Sequence, residues 1–284
     1  MEKALETSES PRRRRPKARL VAGVVETDGH GAERYALKAI SRALEVLDAF
    51  PDGETNLSLM QLRHLKGFPE ASLFRILLTL ESKGYLVRNP DGSFHAAPKV
   101  ILGRAYEVSE NVRQLTHPYL QTLIGRFDET ASMAYLFGER IQVVDTIQSF
   151  HEIRITNTLG RALPPHCSSM GKAILAFQQP EATDRIVQAY GLHRRTERTI
   201  VDREMLSEEL AKIRANGYAV DDQESILGGR CFGAPIFTDK TRAVAAISVS
   251  TPVVRLTPER EGAIVEALLE AAREATMTVQ AAMV

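Results

Sequence analysis

The stretch that most constrains this chain is residues 57–97, LSLMQLRHLKGFPEASLFRILLTLESKGYLVRNPDGSFHAA. Ser58 is placed to cap a helix whose apolar residues Leu59, Leu62 and Leu65 recur every three positions along one face. Gly67 supplies a stop, and Pro69 opens a second helix at its first turn, where a missing N–H costs little. That helix is expected to bury Leu73, Ile76, Leu77 and Leu80, and to turn Ser72, Arg75 and Thr79 outward. Gly84 ends it. Residues 85–88 and 93–97 then read as strands around the turn Asn89-Pro90-Asp91-Gly92. Helix, turn, helix and hairpin make a winged helix-turn-helix pattern, which usually sets its second helix in the major groove of DNA.

The same pattern can be a packing module with no nucleic-acid partner. Two features argue for DNA. A further helix over 36–50 carries Leu37, Ile40, Leu44 and Leu47 on one stripe and would complete a three-helix core. The surface around the unit, Arg63, His64, Lys66, Arg75, Lys83 and Arg88, is basic although the chain as a whole holds 36 Lys and Arg against 36 Asp and Glu. That balance excludes a uniformly basic nucleic-acid binder, so contact must come from local charge.

At 284 residues the chain has room for two domains with real cores. Its two cysteines, Cys167 and Cys231, lie far apart and show no metal-ligand spacing, which favours a reduced setting. No apolar run approaches the ~18 residues of a membrane span, and the N-terminus lacks an apolar leader. A cytoplasmic protein with no membrane partner is expected.

Residues 1–32 read as a disordered arm containing the basic run Arg12-Arg13-Arg14-Arg15. On composition it is a solvated tail. Its place before a DNA-reading unit also suits an arm along phosphate or in a minor groove. After the wing (33–97 in all), 98–115 reads as a stiff linker helix, and the remainder, 116–284, as a separate domain. There a helix (118–127) leads to a hairpin (132–137 and 141–148), a third strand (152–158), and helices at 169–177, 181–190 and 204–216. Strands at 218–221, 231–237 and 243–250 return to the sheet, and a helix over 258–277 closes the chain. Helices and antiparallel hairpins in mixed order argue for an α+β sensor-type domain.

Three strings together resemble the IclR family of bacterial transcriptional regulators. GFPEASLFRILLTL (67–80) matches the family's recognition-helix pattern. LPPHCSSMGKA (163–173) matches its LP-x-H-x-x-x-x-GKA segment. Gly217-x3-Asp221-x2-Glu224-x6-Cys231-Phe-Gly233-x2-Ile236-Phe237 follows its C-terminal signature. The chain departs from the pattern at Arg63, Glu70, Ala71, Phe232 and Thr238. The resemblance implies an α+β protein: an N-terminal winged helix-turn-helix domain joined by a linker helix to a C-terminal α/β sensor (GAF-like) domain. It also implies a repressor or activator that binds a palindromic double-stranded operator as a homodimer. The family also forms dimers of dimers.

For DNA, pattern and resemblance agree on Ser72, Phe74 and Arg75 as positions nearest the groove, with Thr79 on the same helix and Arg88 in the wing. Arg75 could pair with guanine, with phosphate, or with an acid of its own domain.

For a ligand, Ser168-Ser169-Met170-Gly171 opens a helix whose unpaired N–H groups favour a small carboxylate without an arginine. Asp221, Gly228, Gly229 and Cys231 would form a second wall. Ser248 and Ser250, two apart on a strand, put hydroxyls on one face. In the family the matching positions line a pocket for small organic or aromatic acids, so an acid effector is implied. On their own the serines suit capping and sheet hydrogen bonding. Asp221 would be protonated there, or would bind a hydroxyl or a lysine. Met170 would narrow the pocket.

The rival reading is an enzyme acting on a small acid, with Cys231 as nucleophile and His166 as base. Buried packing of the cysteine is the commoner use. No G-x-S-x-G, Walker loop, dinucleotide fingerprint or H-E-x-x-H occurs. His166, Cys167 and Cys231 could also be read as metal ligands. The expectation is no metal, no cofactor and no catalysis.

Overall fold

The computed structural model describes residues 37–51, 55–239 and 241–283. The arm with its run 12–15 lies outside the described residues. Contacts divide the chain into two compact units, between His95 and Ala96.

The first unit is built from α1 (Lys38–Leu47), α2 (Leu59–Lys66), α3 (Glu70–Ser82), β1 (Leu86–Arg88) and β2 (Phe94–Ala96). Ser58 caps α2 as expected, and reciprocally: its hydroxyl accepts from the Gln61 N–H, while Gln61 Oε1 accepts from the Ser58 N–H at 2.8 Å. Gly67 ends α2 at φ +66°, a left-handed conformation that a side chain would strain. Pro69 is the cap of α3, one place before its first turn. Leu57 exchanges two backbone hydrogen bonds of 2.9 Å with Phe94, extending the wing beyond its hairpin.

The core is smaller than the periodicity suggests. Val46, Phe50, Leu62, Leu73, Leu77, Leu80, Leu86 and Phe94 are buried, whereas Leu37, Ile40, Leu44 and Leu65 are exposed. The expected α1 stripe therefore faces outward. The helix is a single short segment, and its inward contacts come from its last turn and the loop beyond.

The second unit opens with α4 (Pro98–Phe127), a single helix with Pro118 inside it. The linker expected over 98–115 and the separate helix from 118 are thus one element. Proline removes a ladder hydrogen bond and costs roughly 3 kcal/mol. Val112, Thr116, Leu120, Leu123 and Phe127 form one buried stripe across the interruption. Burying each large side chain gains about 1.5–3 kcal/mol, which outweighs the proline.

A five-stranded antiparallel sheet follows, in the order β4 (Arg140–Ile147), β3 (Thr130–Phe137), β7 (Ala243–Pro252), β6 (Gly229–Phe237), β5 (Ala219–Asp222). Helices α5 (Ser169–Leu175), α6 (Pro180–Tyr190) and α7 (Arg203–Asn216) lie between β4 and β5, and α8 (Pro258–Ala282) closes the chain. The strand expected over 152–158 is absent from the ladder; that segment is irregular. One of its carbonyls is held by a side chain instead, Ile153 O accepting from Arg255 Nη1 at 2.6 Å.

Strand alternation gives the sheet two unlike faces. Met133, Phe232, Ala234, Ile247 and Val249 point into a core shared with Leu120, Leu123 and Phe127 of α4 and Ile264, Leu268 and Ala272 of α8. On the opposite face, two cross-strand rows are polar: Thr146–Ser132–Ser248–Gly233 and Thr130–Ser250–Cys231–Asp221. Beyond those rows the same face packs α5, α6 and α7 through Ala134, Ala246, Ile174, Ile186 and Leu210.

Candidate ligand cavity and nucleic-acid interface

Part of each polar row forms the floor of a cavity of about 390 Å³. Ser248, Ser250, Cys231 and Asp221 line it from the sheet; Ser168, Ser169 and Met170 line it from the start of α5. Gly233 lets α5 lie so close, since a Cβ there would stand 2.6 Å from the Ser169 carbonyl carbon. Ser169, Met170, Asp221, Cys231, Ser248 and Ser250, all expected from sequence, therefore surround one space. Gly228 of the expected second wall is not among its lining residues. Neither is Gly229. Its Cβ would meet Ile226 at 3.0 Å and Ile155 at 3.2 Å, so the glycine packs two lining isoleucines together from behind.

The remaining walls were not anticipated. Arg154, Ile155 and Asn157 come from the irregular segment, with Arg161 after it; Arg195, Ser225 and Ile226 close the other side. The expectation of an acid site without an arginine thus meets three guanidinium groups. Among the described residues none of them has a carboxylate within ion-pair distance: Arg154 donates to Gln148 Oε1 and His151 O, and Arg195 to Ser225 O. A misread strand concealed Arg154, and nothing in the local pattern marked Arg161 or Arg195.

Among the described residues Asp221 is the only acid lining the cavity. Its Oδ1 accepts from the Glu224 and Ser225 N–H groups at 2.8 and 3.1 Å, and its Oδ2 from the Ser225 hydroxyl. The partner is a hydroxyl, and burial still pushes its carboxyl above the ordinary range. Ser248 is buried, and its hydroxyl has no hydrogen-bond partner among the described residues. Behind the cavity Lys172 is wholly buried, with Nζ 2.5 Å from Glu224 Oε1 and 2.9 Å from Glu209 Oε1. A lysine inside the apolar string of α5 was the one sequence signal for this cluster.

The two thiols suit packing. Burial and nearby Asp221 push Cys167 up to about 12 and Cys231 further, so neither is a thiolate near neutrality. His166 is spent on structure: its Nε2 lies 3.0 Å from the His193 carbonyl and must carry the hydrogen. Among the described residues no group of three His, Cys, Asp or Glu could hold a metal ion.

On the first unit, Phe74, Arg75 and Thr79 are exposed on α3, Ser72 is half-buried, and Arg88 is exposed on β1. The Thr79 hydroxyl donates to Arg75 O at 2.7 Å, and Arg88 lies over the Phe94 ring at 5.7 Å. Two of the family departures answer each other. Arg63 Nη1 lies 2.9 Å from Glu70 Oε2, so the acid at the start of α3 has its own cation.

Comparison with known proteins decides what this architecture is. Residues 104–277 match the family model described as bacterial transcriptional regulator IclR C-terminal, and residues 39–90 match the IclR helix-turn-helix domain. The chain belongs to the IclR family of bacterial transcriptional regulators. It is accordingly a regulator with a DNA-binding helix-turn-helix followed by an effector-binding domain. It is 32% identical over 246 residues to the transcriptional repressor IclR of Escherichia coli K12, covering 85% of this chain and 89% of the relative. It is 33% identical over 242 residues to the Pca regulon regulatory protein of Pseudomonas putida, covering 84% and 82%. The Thermotoga maritima IclR crystal structure superposes with a TM-score of 0.58 at 26% identity, covering 86% of this chain and all of that one. No helix of the described residues is long and apolar enough to cross a membrane.

Proposed function

We propose that this IclR-family regulator reads a palindromic operator through α3 and adjusts its grip by taking a small organic or aromatic acid into the cavity on the polar face of the sheet. The observation that carries the reading is the cavity's chemistry. Three guanidinium groups without carboxylate partners and a buried, unpartnered Ser248 hydroxyl share one space with Ile155, Leu163, Met170 and Ile226. A buried hydroxyl without a partner costs ~1–3 kcal/mol, which an oxygen of a bound acid would recover.

On DNA, Ser72, Phe74, Arg75 and Thr79 would meet the groove and Arg88 the backbone beside it. One recognition helix reads too few base pairs for useful specificity, so a symmetric homodimer acts on two half-sites. Ligand binding would be passed through the sheet. Ser248 faces the cavity while its neighbour Ile247 faces the core of α4 and α8, so a shift of β7 moves both. Since α4 begins directly after the wing, the half-site spacing of the dimer changes with it. The protein works in the cytoplasm, as a repressor or an activator, and without catalysis, its thiols being protonated and buried.

The test is operator binding by the full chain. Gel shifts on the intergenic DNA beside its own gene, with and without a panel of small organic acids, should show a complex whose affinity changes at least about tenfold with one acid. A complex indifferent to every acid, or no complex at all, refutes the reading.

A further inference from the structure

We infer that the effector is a dicarboxylic acid, one carboxylate lying against the buried hydroxyls of the cavity floor and the other held by the guanidinium groups of its rim. The inference rests on the proposal that this cavity is the effector site, and it names the chemistry that the cavity selects.

The cavity has two poles that differ in burial. Ser169, Ser248 and Ser250 are buried, and the Ser248 hydroxyl is left without a partner. Arg154, Arg161 and Arg195 line the same cavity but are exposed, so they form its rim. An exposed guanidinium alone says little, because solvent screens it. Here three from separate places in the chain converge on one cavity, and among the described residues none has an acid within ion-pair distance. Asp221 does not serve them. Its two oxygens are taken by the hydroxyl of Ser225 and the N–H groups of Glu224 and Ser225.

Counting charges gives the same answer. Three rim cations against one internally bonded acid leave an excess of at least two positive charges around the cavity. A monocarboxylate cancels one of them. A dicarboxylate cancels two and can also place an oxygen at the floor, where Ser248 lacks a partner. Guanidinium and carboxylate pair through two parallel hydrogen bonds, so the rim reads geometry as well as charge. The lining between the poles is Ile155, Leu163, Met170 and Ile226, which suits a hydrocarbon spacer.

The test is calorimetry on the full-length chain with acids matched in skeleton. Straight-chain acids of roughly three to eight carbons, sized to the cavity, are each compared as mono- and dicarboxylate, and benzoate is compared with phthalate, isophthalate and terephthalate. At least one dicarboxylate is expected to bind about tenfold or more tightly than its monocarboxylate partner, a ratio that shrinks as salt rises. Arg161→Gln and Arg195→Gln should shrink the same ratio; both side chains are exposed, so folding is not at stake. Monocarboxylates that bind as tightly as their dicarboxylate partners in every pair overturn the inference and leave the proposed function standing. Phenyl phosphate binding above every dicarboxylate overturns the two-pole arrangement. If no acid binds and none alters operator affinity, both the inference and the effector reading fall.

Discussion

The ammonium group of Lys172, which has no exposed surface, lies 2.5 Å from a carboxylate oxygen of Glu224. It thereby ties helix α5 to the loop after β5, and that loop supplies Ser225 to the cavity, following Asp221 on the strand. The same ammonium also holds Glu209 on α7. Removing one partner of a buried ion pair leaves a desolvated charge behind, so Lys172→Met should destabilise the protein by roughly 3–5 kcal/mol. Urea unfolding of the two proteins measures it; a change under about 1 kcal/mol would mean that water already reaches the carboxylates.

The same cluster sets a pH dependence. Burial, with Asp221 and Glu209 nearby, outweighs the attraction of Lys172 and lifts Glu224 from 4.5 to about 7. A carboxyl raised in the folded state keeps its proton where the unfolded chain has lost it. Its contribution to stability is therefore greatest below its unfolded value and declines as pH climbs from 4.5 towards about 7. The stability of the native chain minus that of Glu224→Gln should fall across that window and level off above it. A difference that rises instead means that the pair with Lys172 dominates.

Gly233 is where the sheet admits α5. An alanine Cβ would stand 2.6–2.9 Å from the backbone of Ser169 and Met170, atoms that cannot swing aside. Gly233→Ala should cost about 1–3 kcal/mol, as overpacking does, and should weaken acid binding because the α5 wall is displaced. Thermal melting and calorimetry on the same sample separate the two effects. An unchanged melting temperature would show that α5 is less tightly seated.

At the DNA-reading surface, Arg75→Ala is expected to weaken operator binding by roughly 1–3 kcal/mol and to lower the salt slope by about one. Arg63→Ala should cost less than about 1 kcal/mol of folding stability, since its pair with Glu70 is exposed. It should nonetheless weaken DNA binding by freeing the negative charge of Glu70, and Glu70→Ala in the same chain should restore it. Fluorescence anisotropy on one operator duplex reads all three proteins; failure of the double variant to recover would detach the pair from DNA binding.

The helix-turn-helix was legible because each boundary has a chemical marker: the Ser58 cap, the Gly67 stop, the Pro69 entry and the turn after Asn89. Strands β3 to β7 fall on the stretches expected as strands, within about two residues at their ends. Periodicity misjudged α1 because it reports which residues share a face, not whether anything covers that face. It also broke α4 at Pro118, where long-range packing wins over local preference. The floor of the cavity followed from strings whose spacing a resemblance could carry. Its rim did not, because Arg154, Arg161 and Arg195 sit in irregular backbone, where no period links a residue to its direction. Lys172 lay in plain sight as the one charge in the buried string of α5, but its partners come from α7 and the loop after β5, which only folding brings together.

The three rim arginines belong to connecting segments, whereas the floor belongs to strands that also hold the hydrophobic core. If the cavity is the effector site as proposed, substitutions in those connections would change which acid it accepts while leaving the strands and their hydrophobic core in place.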